Sequence, residues 1–96
     1  MTFAVKLSPV IVKQLDALDE KSKRLVWDKI KLVEENSFHF KRIHSLAFRK
    51  VFRVRLNLQG KETRLIYVIL EPNIIIVCLL ERKKNYRDLE KYLSRL

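Results

Sequence analysis

Val51-Phe-Arg-Val-Arg-Leu-Asn-Leu58 alternates apolar and polar side chains with a period of two. That period is typical of a β-strand with one buried face. With the residues just before it, the stretch predicts one face with Phe48, Phe52, Val54 and Leu56 and an opposite face with Arg49, Val51, Arg53 and Arg55. The first face is apolar and belongs to a core, whereas the second is strongly cationic.

Downstream of this strand the chain alternates short turns with further strands. Gln59-Gly60-Lys61 predicts a turn, and residues 63–70 predict the next strand. After Glu71-Pro72-Asn73, the apolar run of residues 74–80 is typical of a central strand covered on both faces. A last helix is expected from about Tyr86, with one apolar side formed by Leu89, Tyr92, Leu93 and Leu96.

Upstream, residues 3–7 predict a short strand, followed by two helices. Ser8-Pro9 is an N-cap and first-turn proline, and Asp19 can cap a second helix. We therefore expect helices at residues 9–18 and 20–36, with a loop after the second helix that contains His39 and His44. The order β-α-α-β-β-β-α predicts one α+β domain over residues 1–96, with an antiparallel sheet packed against an N-terminal helical hairpin and a C-terminal helix.

Composition narrows the functional classes. The chain has 96 residues and a formal net charge of +10, and residues 49–96 carry twelve basic against five acidic side chains. Such an excess favours a polyanionic partner. One cysteine and one glycine exclude a disulfide framework, a zinc ribbon, a P-loop and a Rossmann motif. With no long apolar run and no signal-peptide pattern, we expect a cytoplasmic protein that does not bind a membrane.

The cationic strand face is the first candidate site. Arg53 and Arg55 emerge side by side, Arg64 can reach the same surface, and Arg82 precedes Tyr86 by four residues. Guanidinium groups bind phosphate oxygens bidentately and a tyrosine ring can stack on a base, so this set is a candidate RNA site. The same pattern is also typical of a solvated strand face whose charges discourage aggregation.

Other reactive side chains have structural interpretations. His39 and His44 could form an acid–base or metal pair, yet no cysteine or carboxylate lies near them in sequence, and Phe38-His39-Phe40 is typical of packing. Cys78 lies inside an apolar strand and is expected to be buried rather than nucleophilic.

Taken together, the segments resemble the RelE/ParE superfamily of toxins from type II toxin–antitoxin systems. The resemblance rests on Phe3-Ala-Val-Lys-Leu-Ser-Pro9, Val51 to Leu58, Thr63-Arg-Leu-Ile-Tyr67, and the apolar run leading into Glu81-Arg-Lys-Lys-Asn-Tyr86. The arginine and tyrosine near the C-terminus are more similar to RelE than to ParE.

The resemblance implies an mRNA interferase, a ribosome-dependent endoribonuclease that cuts mRNA in the A site by attack of the RNA 2′-hydroxyl, without a metal or other cofactor. It implies catalytic roles for five residues: Arg53, Arg55, Arg64, Arg82 and Tyr86. Four flanking cations are expected to bind the RNA: Arg49, Lys50, Lys83 and Lys84. It also implies a cognate antitoxin, acidic or amphipathic, that covers the cationic face or displaces the C-terminal helix.

The chain departs from this family at two places. Several RelE-type toxins have lysine where this chain has Arg53 and Arg55, and many relatives have histidine where it has Glu81. Arginine stays protonated, so the expected role of these two arginines is electrostatic. The general base is left open among Tyr86, Lys50, Lys84 or none. Two alternatives remain: a ParE-like gyrase poison, and a basic RNA-binding module without catalysis.

Overall fold

The computed structural model of the chain describes residues 3–81 and 87–96. In these ranges five strands form one mixed sheet in the order β1-β5-β4-β3-β2, with helices on both faces. The elements in chain order are β1 (Ala4–Leu7), α1 (Pro9–Asp16), α2 (Glu20–Glu35), β2 (Lys41–Ile43), β3 (Val51–Leu58), β4 (Lys61–Leu70), β5 (Asn73–Glu81) and α3 (Arg87–Leu93). The α+β class, the helical hairpin and the C-terminal helix are confirmed. No helix in the described ranges is long and apolar enough to cross a membrane.

The sheet contains one strand more than the sequence predicts, and one strand runs in an unexpected direction. Where a loop is predicted, β2 pairs antiparallel with Val51–Arg53 at the sheet edge. β1 pairs parallel with β5, from Ala4 opposite Asn73 to Leu7 opposite Ile76. The sheet is therefore mixed rather than wholly antiparallel. Both pairings join distant parts of the chain, which local periodicity does not reveal.

Both hairpin helices begin at the predicted caps. The Ser8 hydroxyl accepts a hydrogen bond from the Ile11 backbone N–H at 3.2 Å, and the Asp19 carboxylate accepts one from the Ser22 N–H at 2.7 Å. Each cap satisfies an N–H that the first helical turn leaves without a partner. Apolar side chains on one side of each helix, including Ile11 and Leu15 of α1, are buried against the sheet.

Two apolar clusters lie on opposite faces of the sheet. The face under α1 and α2, here called the hairpin face, buries side chains that include Val54, Leu65, Tyr67 and Ile76. The face under α3, here called the α3 face, buries Val51, Ile66, Val68, Val77, Cys78, Leu80, Leu89 and Leu93. Phe48 also packs on the α3 face. Its predicted place beside Phe52 is wrong, because β3 starts only at Val51 and the strand alternation does not extend back to it.

The turn between β3 and β4 is shorter than predicted. Gln59 and Gly60 both have positive φ angles, of 52° and 77°, and Leu58 pairs directly with Lys61. Two successive positive φ values are typical of a two-residue type I′ hairpin, whose twist matches that of the strands. β4 therefore starts at Lys61 rather than at Thr63, which places Glu62 inside the ladder opposite Asn57.

Candidate nucleic-acid interface

The hairpin register brings the predicted cations together on two neighbouring rungs of the sheet. Arg55 lies directly opposite Arg64, and Arg53 lies opposite Lys41 of β2. Residues i and i+2 of a strand share a face, so all four side chains emerge on the α3 face. The two rungs, here called the cationic rungs, are about 7 Å apart. Lys41 joins this set only because β2 is a strand, so the sequence analysis missed it.

The cationic rungs lie where the apolar part of the α3 face ends. Along β3 this face passes from buried Val51 through half-buried Arg53 to exposed Arg55. Arg64 is half-buried beside Leu80 of β5. Helix α3 covers the other end of the face, where Leu89 and Leu93 are buried. The cations therefore adjoin an apolar surface that lowers the local polarity around them, which strengthens their attraction for an anion.

A shallow pocket of about 220 Å³ opens beside the second cationic rung. Its lining consists of Arg55, Leu56, Asn57, Glu62, Thr63 and Arg64. Asn57 and Glu62 form the next rung on the same face. The sequence analysis missed Glu62 because the predicted turn ends at Lys61 and the predicted strand starts at Thr63, which leaves Glu62 between them. The signal was present, since Glu62 precedes Arg64 by one strand period.

Arg49 and Lys50 do not join the cationic rungs. Lys50 precedes β3 and forms an ion pair with Glu71 at 3.3 Å, with its ammonium group 5.7 Å from the centre of the Phe38 ring. Arg55 is five positions further along the extended chain, so the two Cα atoms are about 17 Å apart. Arg49 is exposed and lines a separate shallow pocket with Arg42 and others.

Four of the predicted site residues lie outside the described residues: Arg82, Lys83, Lys84 and Tyr86. The described part of β5 ends at Glu81, which pairs with Thr63 and forms an ion pair with Lys61 at 3.7 Å. β5 thus ends one rung from the pairing of Arg64 with Leu80.

The two histidines do not form a pair. His39 contacts Phe40, with 5.3 Å between ring centres, whereas His44 lines the pocket that contains Arg49. Cys78 is fully buried, as predicted. Burial, with a smaller effect of Asp88, raises the pKa of the Cys78 thiol to about 12, so it is neutral and not nucleophilic at pH 7. Within residues 3–81 and 87–96, no three His, Cys, Asp or Glu side chains are grouped so that they could bind a metal ion.

Solved structures share this architecture. The E. coli toxin RelE in the free state, with two arginines replaced by alanine, aligns over 99% of this chain and 97% of its own, with a TM-score of 0.71 and 12% identity. The chain has the RelE fold. The E. coli RelBE toxin–antitoxin complex aligns over 85% of this chain and 99% of its own, with a TM-score of 0.64 and 13% identity.

An archaeal relative of the fold comes from Pyrococcus horikoshii OT3. Its RelE–RelB complex aligns over 88% of this chain and 99% of its own, with a TM-score of 0.59 and 21% identity. No protein-family profile and no curated protein sequence matches the chain. The RelE fold is thus shared at identities of 12 to 21%, at which structure is retained although most side chains differ.

Proposed function

We propose that this protein is the toxin of a toxin–antitoxin pair and acts as a ribosome-dependent endoribonuclease on mRNA in the A site. The observation that supports this proposal is the pair of cationic rungs on a RelE fold. Like charges directly opposite each other destabilise a sheet. Two such rungs side by side are therefore suited to an anionic ligand, which would relieve the repulsion.

The proposed reaction is attack of the RNA 2′-hydroxyl on the adjacent phosphorus. It forms a 2′,3′-cyclic phosphate and releases the 5′-oxygen of the next nucleotide. Negative charge builds up on the phosphate oxygens in the transition state, and Arg55 and Arg64 are placed to bind those oxygens from adjacent strands. Because the nucleophile belongs to the RNA, the protein need not form a covalent intermediate, and the sequence resemblance implies that the step uses no metal ion or cofactor. Arg82 and Tyr86 stay in the proposed site on the strength of the sequence resemblance.

The test is primer extension on a defined mRNA in a translating cell-free system, with and without ribosomes. We expect cuts that require ribosomes. Arg64→Ala should reduce the cleavage rate about 100- to 1,000-fold, the usual effect of removing one donor to transition-state charge. Arg24→Ala is the matched control, because Arg24 is an exposed arginine on α2, away from the α3 face. Arg82→Ala extends the test to the residue beyond β5.

The outcomes separate the alternatives. Ribosome-dependent cuts that persist with Arg24→Ala and disappear with Arg64→Ala support the proposed site. Intact mRNA with continuing translation overturns the nuclease proposal. Supercoiling defects with spared translation would then favour a gyrase poison. Salt-sensitive RNA binding without a cleaved product would favour a binding module without catalysis.

The proposed partner is a cognate antitoxin, in line with the two neighbouring complexes of RelE with RelB. A net charge of +10 and the cationic rungs favour an acidic antitoxin. We expect the complex to weaken as salt is raised from about 50 to 500 mM, because screening shortens the range of charge attraction. An affinity that does not change with salt would contradict the electrostatic argument.

A further inference from the structure

The proposed reaction needs a group that takes the 2′-hydroxyl proton, and arginine cannot supply it because its guanidinium stays protonated. Of the six residues that line the pocket at the second cationic rung, Glu62 alone has a side chain whose ordinary ionised form, a carboxylate, can act as a base. We propose that the Glu62 carboxylate is the general base that removes this proton. The inference rests on the proposed function and names a catalytic residue for that reaction.

The register places Glu62 beside the proposed phosphate site. It precedes Arg64 by two residues on β4, so the two side chains share a face and their Cα atoms are about 7 Å apart. Arg55 is its diagonal neighbour across the β3–β4 ladder, within reach of long side chains. In RNA the 2′-hydroxyl is attached to the carbon next to the one that carries the scissile phosphate. If the RNA runs towards the end of the β3–β4 hairpin, a phosphate bound by Arg55 and Arg64 has its nucleophilic hydroxyl beside the rung where Glu62 lies.

Lys50 fits this role less well. Its ammonium group forms an ion pair with Glu71 and lies over the Phe38 ring. Its Cα atom is about 17 Å along the extended chain from that of Arg55. Tyr86 and Lys84 lie outside the described residues.

Among the described residues, the charged groups that flank Glu62 on this face come from both strands of the β3–β4 hairpin. β3 contributes Arg55 and β4 contributes Arg64, and the described pairing of β4 with β5 ends at Thr63 opposite Glu81, before it reaches Glu62. Lys61 and Glu81 are at strand positions that alternate with those of the α3 face, and they form an ion pair with each other. Both arginines therefore lie on the same face as the Glu62 carboxylate, beside the position proposed for the phosphate.

The proposed step transfers one proton to Glu62 and exchanges one bond to phosphorus for another. The O–H bond of the 2′-hydroxyl breaks, its proton passes to the Glu62 carboxylate, and the oxygen electron pair forms the new bond to phosphorus. The bond from phosphorus to the 5′-oxygen then breaks, and that oxygen takes a proton from water. Arg55 and Arg64 stabilise the phosphate oxygens throughout. The Glu62 carboxyl group returns its proton to solvent before the next turnover.

The experiment measures single-turnover cleavage on programmed ribosomes between about pH 6 and 8.5 for the wild type and for Glu62→Gln, Glu62→Asp and Glu35→Gln. We expect Glu62→Gln to slow cleavage about 100- to 10,000-fold, the range for loss of a general base. Its affinity for the programmed ribosome should be equal or higher, because a negative charge has left a cationic site. Glu35→Gln removes a carboxylate from an exposed position on α2, and its cleavage rate should match that of the wild type.

The pH profile distinguishes a base from a structural side chain. An ionised carboxylate gives the wild type a level rate near neutral pH, and Glu62→Asp should keep that level profile at a reduced rate. Without the carboxylate, the reaction depends on hydroxide, so the Glu62→Gln rate should rise about tenfold per pH unit. Because Glu62 is exposed, we expect the variants to unfold at the same urea concentration as the wild type.

Three results overturn the assignment. Glu62→Gln could cleave within about threefold of the wild type, or it could be slow with an unchanged pH profile; either excludes a base at this position while the proposed nuclease function stands. A wild type that leaves ribosome-bound mRNA intact overturns the proposed function, and the Glu62 assignment fails with it.

Discussion

The two faces of the β3–β4 hairpin have the same alternation of side chains but different compositions. On the hairpin face, Val54, Leu65 and Tyr67 are all buried in one cluster. On the α3 face, the buried pair Val51 and Val68 gives way within two rungs to Arg55 opposite Arg64. The first face stabilises the fold along its full length, whereas the second divides its length between core and site. The candidate interface thus lies on regular strands, which fix side chains more precisely than loops.

The largest expected effect on the free energy of unfolding is the difference between alanine substitutions at two adjacent residues whose side chains lie on opposite faces of the sheet. Leu65 is fully buried in the hairpin-face cluster, so Leu65→Ala should lower the free energy of unfolding by about 2–5 kcal/mol. Arg64→Ala, one residue earlier, should change that energy by less than about 1 kcal/mol while it removes cleavage. Urea denaturation of both variants measures the difference. If Arg64→Ala were as destabilising as Leu65→Ala, the α3 face would be structural along its whole length.

The same comparison explains how far the sequence predicts the structure. Alternation from Phe52 to Leu58 predicts β3 and its two faces, because period two is a local property of an extended chain. Lys41-Arg42-Ile43 has no such signal, and it is a strand only because it pairs with the edge of β3. Lys41 could therefore not be placed on the cationic rungs from the sequence.

The site is predictable to the extent that it depends on strand periodicity. Arg53 and Arg55 share a face by counting residues along one strand, and the β3–β4 register brings Arg64 to the same face, as the sequence predicts. Glu62 depends on the length of the turn, since a two-residue turn places it in the ladder and a longer one does not. Whether Lys50 joins the site depends on where β3 begins, and tertiary packing rather than strand propensity fixes that start.

Gln14 tests how β5 is fixed beyond the end of β1. Its side-chain amide donates to the Leu79 carbonyl oxygen at 2.9 Å and accepts from the Leu79 N–H at 2.7 Å. A side chain thus continues the edge pairing that β1 ends at Leu7. Gln14→Ala removes the partner of two backbone groups and should cost about 1–3 kcal/mol, with faster hydrogen exchange at the Leu79 amide. Unchanged exchange at Leu79 would show that water replaces Gln14 without cost.

Burial of the Cys78 thiol is expected to make the free energy of unfolding fall at alkaline pH. Its pKa is raised from an ordinary value of 9.0 to about 12, chiefly by burial, so the folded state favours the neutral thiol. This stability is fully present below pH 9 and is lost as pH rises from 9 towards 12, because only the unfolded chain then loses the proton. The expected loss is about 1 kcal/mol by pH 10. Urea denaturation across this range measures it.

Cys78→Ala is the control for that alkaline loss, since it removes the titrating group. The variant starts from a lower stability because a buried side chain is shortened. Its decline between pH 9 and 10 should nevertheless be smaller than that of the wild type by about 1 kcal/mol. Equal declines would mean that other groups, such as Tyr67, whose pKa is also raised by burial, cause the whole effect.

The smallest effect is expected from the ion pair between Lys61 and Glu81, whose positions on β4 and β5 alternate with those of the α3 face. Lys61 and Glu81 are 3.7 Å apart, and their side chains are 68% and 42% exposed. Because water screens such a pair, a double-mutant cycle with Lys61→Met and Glu81→Gln should give a coupling energy of about 0.2–1 kcal/mol that falls with added salt. A larger, salt-resistant coupling would indicate that this pair fixes the end of β5. In that case the register of Arg64 opposite Leu80 would depend on a charged contact as well as on the buried hairpin face.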